Sequence, residues 1–244
     1  MDEKRIETAK RMLEGSKYLV CLKGVQVSRE CGCTNYREEE DAYPIEEKYG
    51  YSAEEMFSTS FFYNRTQQFY QFYRNEIIQN LGELKPGFDT LRNLEERGIL
   101  KAIVTRDIYS LALRAGCRNV IELHGSVYQN KCPRCRREYS LDYMREAHGV
   151  PKCESCGIAL RPGISLIGEM VDNQKITRAS EEVGKADTLL VLGCNLHTSL
   201  ARTFIKYFNG DRMILINSEE HFADTKADLV IHGKVMDILA QIGI

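Results

Sequence analysis

Two C-x2-C pairs, Cys132/Cys135 and Cys153/Cys156, stand seventeen residues apart and constrain this chain more than any other feature. Four thiolates presented on two tight knuckles fill the tetrahedral shell of a structural zinc ion. The neighbours suit such knuckles: Lys131, Pro133 and Arg134 at the first pair, Glu154, Ser155 and Gly157 at the second. Two disulfides or two redox pairs are the alternative. A reducing interior disfavours both, and the 9 cysteines of the chain fit such an interior. A closed four-sulfur shell leaves no open position for a substrate. The ion is a staple, and chemistry has to be sought elsewhere.

The 244 residues carry a formal net charge of −2, which argues against nucleic acid as the main partner. The acidic run Glu38–Asp41 with Glu46 and Glu47, and the basic residues around the knuckles, read as solvated surface. MDEKRIETAKRMLEG reads as an amphipathic helix and not as a signal peptide. No apolar run approaches the length of a membrane span. The expectation is a cytoplasmic protein without membrane or nucleic-acid partners.

Apolar runs alternate with helical periodicity. A helix is predicted over 5–14, then a buried strand at 18–22 followed by a turn at Gly24. Residues 53–80 carry aromatics at helical spacing and predict two helices with an aromatic inner face, a cofactor lid being the sharper alternative. Further helices are predicted at 86–98, 108–116, 173–185 and 198–208. Further strands are predicted at 101–105, 119–125, 164–169, 187–193, 213–217 and 228–233. Such alternation implies an α/β fold with a doubly wound parallel sheet, and ligands at the carboxyl ends of its strands. The zinc ribbon, at about 126–162, interrupts it.

The residues just past each strand are rich in groups that hold nucleotides. They are Lys23-Gly24-Val25-Gln26-Val27-Ser28, with Asn35-Tyr36-Arg37 beyond, then Thr105-Arg106-Asp107, His124-Gly125, Gly193-Cys194-Asn195 and Asn217-Ser218-Glu219. Taken singly each is weak; Gly24 fits any turn, and G-x-G-x-x-G is missing. Cys31, Cys33 and Cys194 read as small buried residues and not as nucleophiles, because no histidine neighbours them in sequence.

In order and spacing these pieces resemble the Sir2 family, the sirtuins, over about residues 5–242. ELHG (122–125) precedes the zinc ribbon, LRPGISLIGE (160–169) is similar to the family's LRP-x-V-V-x-F-G-E, and LVLGCNL (190–196) to its G-T-S-L. GCTNYR (32–37) and ILIN (214–217) are weaker echoes. The resemblance implies a Rossmann-like domain made of 1–125 and 163–244, a zinc module at 126–162 and a helical cofactor-loop region at 38–80. It implies an NAD-dependent protein lysine deacylase that transfers the acyl group of an acyl-lysine protein or peptide to ADP-ribose. His124 is then the catalytic base. Gly24, Val25, Ser28, Tyr36, Arg37, Arg106, Asp107, Gly193, Cys194, Asn195, Asn217 and Ser218 are the NAD-binding set, and the peptide lies along Ile164–Glu169.

Departures from the family pattern carry information too. G-A-G-x-S becomes Gly24-Val25-Gln26-Val27-Ser28, and T-Q-N-I-D becomes Thr105-Arg106-Asp107-Ile108-Tyr109. A carboxylate at Asp107 would stabilise a developing ribosyl cation, paired with Arg106, and so favour NAD glycohydrolysis or mono-ADP-ribosyl transfer. The plainer role for Asp107 is to cap the following helix. Gln26 opens a third possibility, a binder of NAD or ADP-ribose without turnover.

Overall fold

The structure is a computed structural model that describes residues 3–35 and 39–244, with the backbone alone for 39–41. The expected Tyr36 and Arg37 contacts lie outside the described residues.

Strands form where apolar runs meet no helix-favouring periodicity. β1 (Leu19–Lys23), β2 (Leu100–Thr105), β3 (Val120–Glu122), β6 (Thr188–Leu192), β7 (Arg212–Asn217) and β8 (Leu229–His232) build one parallel sheet in the order β3-β2-β1-β6-β7-β8. The order reverses between β1 and β6, which is where an open α/β sheet binds its ligand. β4 (Asn130–Lys131) and β5 (Glu138–Tyr139) pair separately as a small antiparallel hairpin beside the knuckles.

The near-continuous burial of β1, β6 and β7 follows from helices on both faces. Leu19, Cys21, Ile103, Leu190, Ile214 and Ile216 meet α1 (Glu3–Glu14), α7 (Gly87–Glu96) and α12 (Val235–Ile242). Val20, Leu22, Val104, Leu189, Val191 and Leu215 point the other way, onto Ala179 and Val183 of α10 (Asn173–Lys185) and Leu200 and Phe204 of α11 (Ser199–Phe204). The period-2 alternation thus divides the core into two layers.

The region predicted as two aromatic helices is instead a series of short pieces. After α2 (Val25–Glu30) and α3 (Glu39–Tyr49) come α4 (Ala53–Met56), α5 (Thr59–Asn64), α6 (Thr66–Phe72) and a π-helical turn, Tyr73–Ile78. Ser52 and Ser58 stop the chain by capping Glu55 and Phe61, so each helix restarts after one or two turns. The aromatic face is core, as the plainer reading had it: Phe57, Phe62, Phe69, Tyr70 and Phe72 pack edge to face, and Tyr73 stacks on Phe69. The same core continues into the cysteine module through Leu141 and Met144 of α9 (Leu141–Glu146) and Leu160. The buried Tyr70 hydroxyl donates to the Leu160 carbonyl at 2.5 Å.

Two further expectations are corrected. Residues 164–169 form no strand of the parallel sheet. They make a strip bridged to Gly125 on one edge and Ser58 on the other, because Gly163 and Gly168 break the run and Glu169 turns back onto the Leu166 N–H. The helix predicted over 108–116 is reduced to α8 (Leu111–Arg114), since the Asp107 carboxylate accepts the Tyr109 and Leu111 N–H groups and keeps 107–110 as a turn. The sequence reading also missed α12, whose apolar run VMDILAQI follows Gly233-Lys234 directly.

Asp187, at the amino edge of β6, fastens the bottom of the sheet. Its carboxylate accepts from Ser16 Oγ (2.6 Å), Thr188 Oγ1 (2.7 Å) and the Lys17 and Tyr18 N–H groups, and pairs with Arg212 (3.2 Å). Burial pushes its pKa up, but these donors outweigh burial and hold it at about 2. The stabilisation is present above the unfolded-chain value and is lost as pH falls toward 2. Asp187→Ala is expected to cost roughly 1–3 kcal/mol at pH 7. In thermal melts its Tm deficit relative to wild type should shrink below pH 4, and a deficit constant down to pH 2.5 would contradict this assignment.

Candidate active site and metal centre

The four knuckle cysteines converge. Cys132, Cys135, Cys153 and Cys156 place their sulfurs within 4.8 Å of one another. A tetrahedron of Zn–S bonds near 2.3 Å sets sulfurs roughly 3.8 Å apart, and Cys135 Sγ lies 3.6 Å from Cys153 Sγ. Donors already surround the set. The Cys135 N–H points at Cys132 Sγ (3.5 Å), the Cys156 N–H at Cys153 Sγ (3.4 Å), and the Tyr139 hydroxyl donates to Cys153 Sγ at 3.1 Å. Such donors favour thiolates and orient ligands. The residues fit a structural zinc ion.

The strand ends form a second, larger constellation. Gly24, Arg106, His124, Gly193 and Ser218 follow β1, β2, β3, β6 and β7 at the same edge of the sheet. Gly24 is demanded by packing: an added Cβ would sit 2.4 Å from Cys194 Cβ and 2.5 Å from the Gly193 carbonyl oxygen. This close approach seats the first turn of α2, with Val25 exposed and Ser28 buried, against the exit of β6. The Gln26 N–H donates to the Gly193 carbonyl at 3.0 Å, and its side-chain Oε1 accepts the Ser218 N–H at 3.1 Å. Gln26 therefore ties the exits of β1, β6 and β7 together.

His124 is half-buried between this rim and the 164–167 strip. Its carbonyl accepts the Ser165 N–H at 2.8 Å, and the Ser126 N–H donates to Gly163 at 2.9 Å. Gly125 makes the crossing possible, with φ +71 and no room for a Cβ, which would meet the Gly163 oxygen at 2.1 Å. Ile167 within the strip and Met170 just past it are exposed.

Asp107 faces inward. Its Oδ1 accepts the Tyr109 N–H (2.7 Å), and its Oδ2 accepts the Leu111 N–H (3.0 Å) and meets Lys23 Nζ at 3.2 Å. Its ion-pair partner is Lys23, and the expected pairing with Arg106 is corrected on that ground. Arg106 bonds Ser199 Oγ instead. The helix-start role of Asp107 is the one that its contacts display. Asn195 spends its side chain on a turn, Oδ1 accepting the His197 N–H at 2.9 Å. Asn217 is buried, its Nδ2 donating to Glu219 O and its Oδ1 without a partner among the described residues. Burial raises the thiols of Cys31, Cys33 (to about 12) and Cys194 (to about 11), so none is an activated nucleophile.

Two groups escaped the sequence reading. Lys23 closes an otherwise apolar strand, and a charge there beside Thr105-Arg106-Asp107 was the available signal. Glu122, two residues before His124, is buried with Oε1 unpartnered among the described residues. Burial lifts its carboxyl to about 7; the Asp107 charge adds to this, while Ser110, Lys175 and Lys23 oppose it.

The sheet order, its switch point and the glycine-tight rim define a dinucleotide-binding α/β protein carrying an inserted four-cysteine module. The model of the Sir2 family matches residues 24–199. The chain is 35% identical over 239 residues to the NAD-dependent protein deacetylase of Clostridium acetobutylicum, covering 98% of each. It is 36% identical over 243 residues to the NAD-dependent protein deacetylase of Clostridium perfringens, covering 99% of each. A solved Sir2 structure with a p53 peptide and NAD+ superposes with a TM-score of 0.80 at 26% identity, over 97% of this chain and 96% of that one. The chain belongs to the Sir2 family.

Two outcomes are expected here. Elemental analysis should find one zinc per chain, and Cys153→Ser should lose most of the metal and lower Tm; full metal-free stability would contradict the staple. For Glu122, the unfolded chain ionises near the ordinary carboxyl value and the folded chain near 7, so stability falls as pH rises between them. Glu122→Gln should melt close to wild type at pH 5 and several degrees above it at pH 8, a gain on the order of 2 kcal/mol. A difference that does not change with pH would refute the buried neutral acid.

Proposed function

We propose that the chain is an NAD-dependent protein lysine deacylase that transfers the acyl group of an acyl-lysine protein or peptide to ADP-ribose. The observation that carries this reading is the position of His124, between the dinucleotide rim and the Ile164–Glu169 strip. The names of the full-length relatives support the same reaction.

NAD, when bound, supplies an electrophilic ribose carbon once its bond to nicotinamide breaks. The chain's residues do the rest. The Val25 and Val27 N–H groups at the start of α2 and the guanidinium of Arg106, with Tyr36 and Arg37, would hold the diphosphate, the Gln26 N–H being engaged by Gly193. Gly193, Cys194, Asn195, Asn217 and Ser218 would border the adenosine half. Here Ser218 offers its hydroxyl, its N–H being engaged by Gln26. An imidazole titrates near working pH, so His124 would draw the proton from a ribose hydroxyl. The peptide would lie against the strip, beside the exposed Ile167 and Met170. No ribose-facing role is assigned to Asp107, whose oxygens are taken by Lys23, Tyr109 and Leu111. That weakens the glycohydrolase and ADP-ribosyltransferase alternative.

The same proposal divides the chain into a dinucleotide-binding unit, 1–125 with 163–244, and a metal module at 126–162. It places the protein in the cytoplasm, acting on protein and not on nucleic acid. Among the described residues no helix is long and apolar enough to cross a membrane.

Zinc-loaded protein incubated with NAD and an acetylated peptide should release nicotinamide, deacetylated peptide and O-acetyl-ADP-ribose in equal amounts. His124→Ala should lower kcat by about 100-fold or more while NAD still raises Tm. Free ADP-ribose with the peptide intact would point to the hydrolase, and NAD-induced stabilisation without any product to a binder.

A further inference from the structure

Lys23 is fully buried, with a side chain 0% exposed, at the carboxyl end of the central strand β1. Its register partner on β2 is Thr105, and the partner of Thr105 on β3 is Glu122. Parallel register partners point to the same face, so an ammonium, a hydroxyl and a carboxyl form one row across three strands, beneath the rim. Taking a charge out of water costs several kcal/mol unless a partner meets it. Among the described residues the Lys23 ammonium meets Asp107 and makes no hydrogen bond of normal geometry. Removing either partner would leave the other charge buried alone, so the pair holds in place the groups bonded to it.

What it holds can be traced atom by atom. Asp107 Oδ2 faces Lys23, and Oδ1 accepts the Tyr109 N–H. The Tyr109 hydroxyl donates to the Thr34 carbonyl at 2.9 Å, on the segment leading away from α2. Thr34 in turn donates through Oγ1 to the Glu76 carbonyl of the π-helical turn. Meanwhile the Asp107 N–H donates to Thr105 Oγ1, whose hydroxyl donates to the Lys23 carbonyl, closing a ring around the turn. The chain of contacts runs from the sheet floor, through the turn after β2, to the loop after α2.

We propose that Lys23 is a positioning residue for the dinucleotide site: its buried ion pair with Asp107 fixes the Arg106–Ser110 turn and, through Tyr109, the loop at Thr34. This rests on the NAD-dependent reading above. Lys23 touches neither substrate; its effect passes through the two segments that border the dinucleotide. The expected signature is therefore a loss of NAD affinity with the peptide strip unaffected.

The test is a double-mutant cycle on zinc-loaded protein with NAD and an acetylated peptide. Lys23→Met and Asp107→Leu should each raise the KM for NAD at least 10-fold and the KM for peptide less than threefold. The double variant should be no worse than the poorer single, since neither charge is then left alone in the interior. Tyr109→Phe keeps the buried pair and removes the hydroxyl that donates to Thr34. It should raise the NAD KM about threefold with Tm within 2 °C of wild type, which keeps the proposal testable even if a Lys23 variant fails to fold. Additive effects in the cycle, an unchanged NAD KM in folded Lys23→Met, or an unchanged NAD KM in Tyr109→Phe would each overturn it. If wild type itself bound no NAD, the functional reading would fall first, a result distinct from all of these.

Discussion

The pairing of β1 with β6 is the contact on which the rest depends. It joins the two halves of the sheet where the strand order reverses, and it is fully buried on both faces. With helices on both sides, the strand ends have one place to open, and five successive turns are brought to that edge. Gly24 against Gly193–Cys194 is the tightest point of this seam. A side chain there would push the first turn of α2 away from the sheet, and the rim would lose its shape before any ligand was involved.

The cysteine module stabilises a different part of the molecule. Its own secondary structure is one short hairpin and one short helix, too little to bury a core alone. It shares its interior with the aromatic helices through Tyr70, Leu160 and Met144. Gly125 and Gly163 connect this shared core to His124, so the four-cysteine cluster, the 164–169 strip and His124 form one mechanical unit. A zinc ion held by these cysteines would thereby influence where His124, the proposed catalytic base, stands.

Much of this was legible in the chain itself. Continuous apolar runs such as TLLVL and MILIN announced buried parallel strands, and the cysteine spacing announced the knuckles. The failures have physical causes. ISLIGE has a strand's composition, but Gly163 and Gly168 at its ends leave it a bridging strip. The aromatic stretch has helical spacing, yet serine caps restart the helix every few residues. Asp107 was paired with its neighbour Arg106 because its observed partner, Lys23, is distant in sequence and adjacent only through strand register. Gln26 was readable as a departure from the family pattern, but its bond to Ser218 depends on a contact across nearly the whole chain. Local pattern carried the elements; pairings between distant strand ends needed the fold.

We propose that these strand ends, converging beside His124, receive one dinucleotide and one acyl-lysine together. A crystal structure of the zinc-loaded protein with ADP-ribose and an acetylated peptide measures this most directly. The diphosphate is expected over the start of α2, between β1 and β6, with the acetyl-lysine along Ile164–Glu169 and its tip within hydrogen-bonding reach of the His124 side. A diphosphate bound away from Gly24 and Gly193, or a peptide that leaves the strip empty, would contradict it.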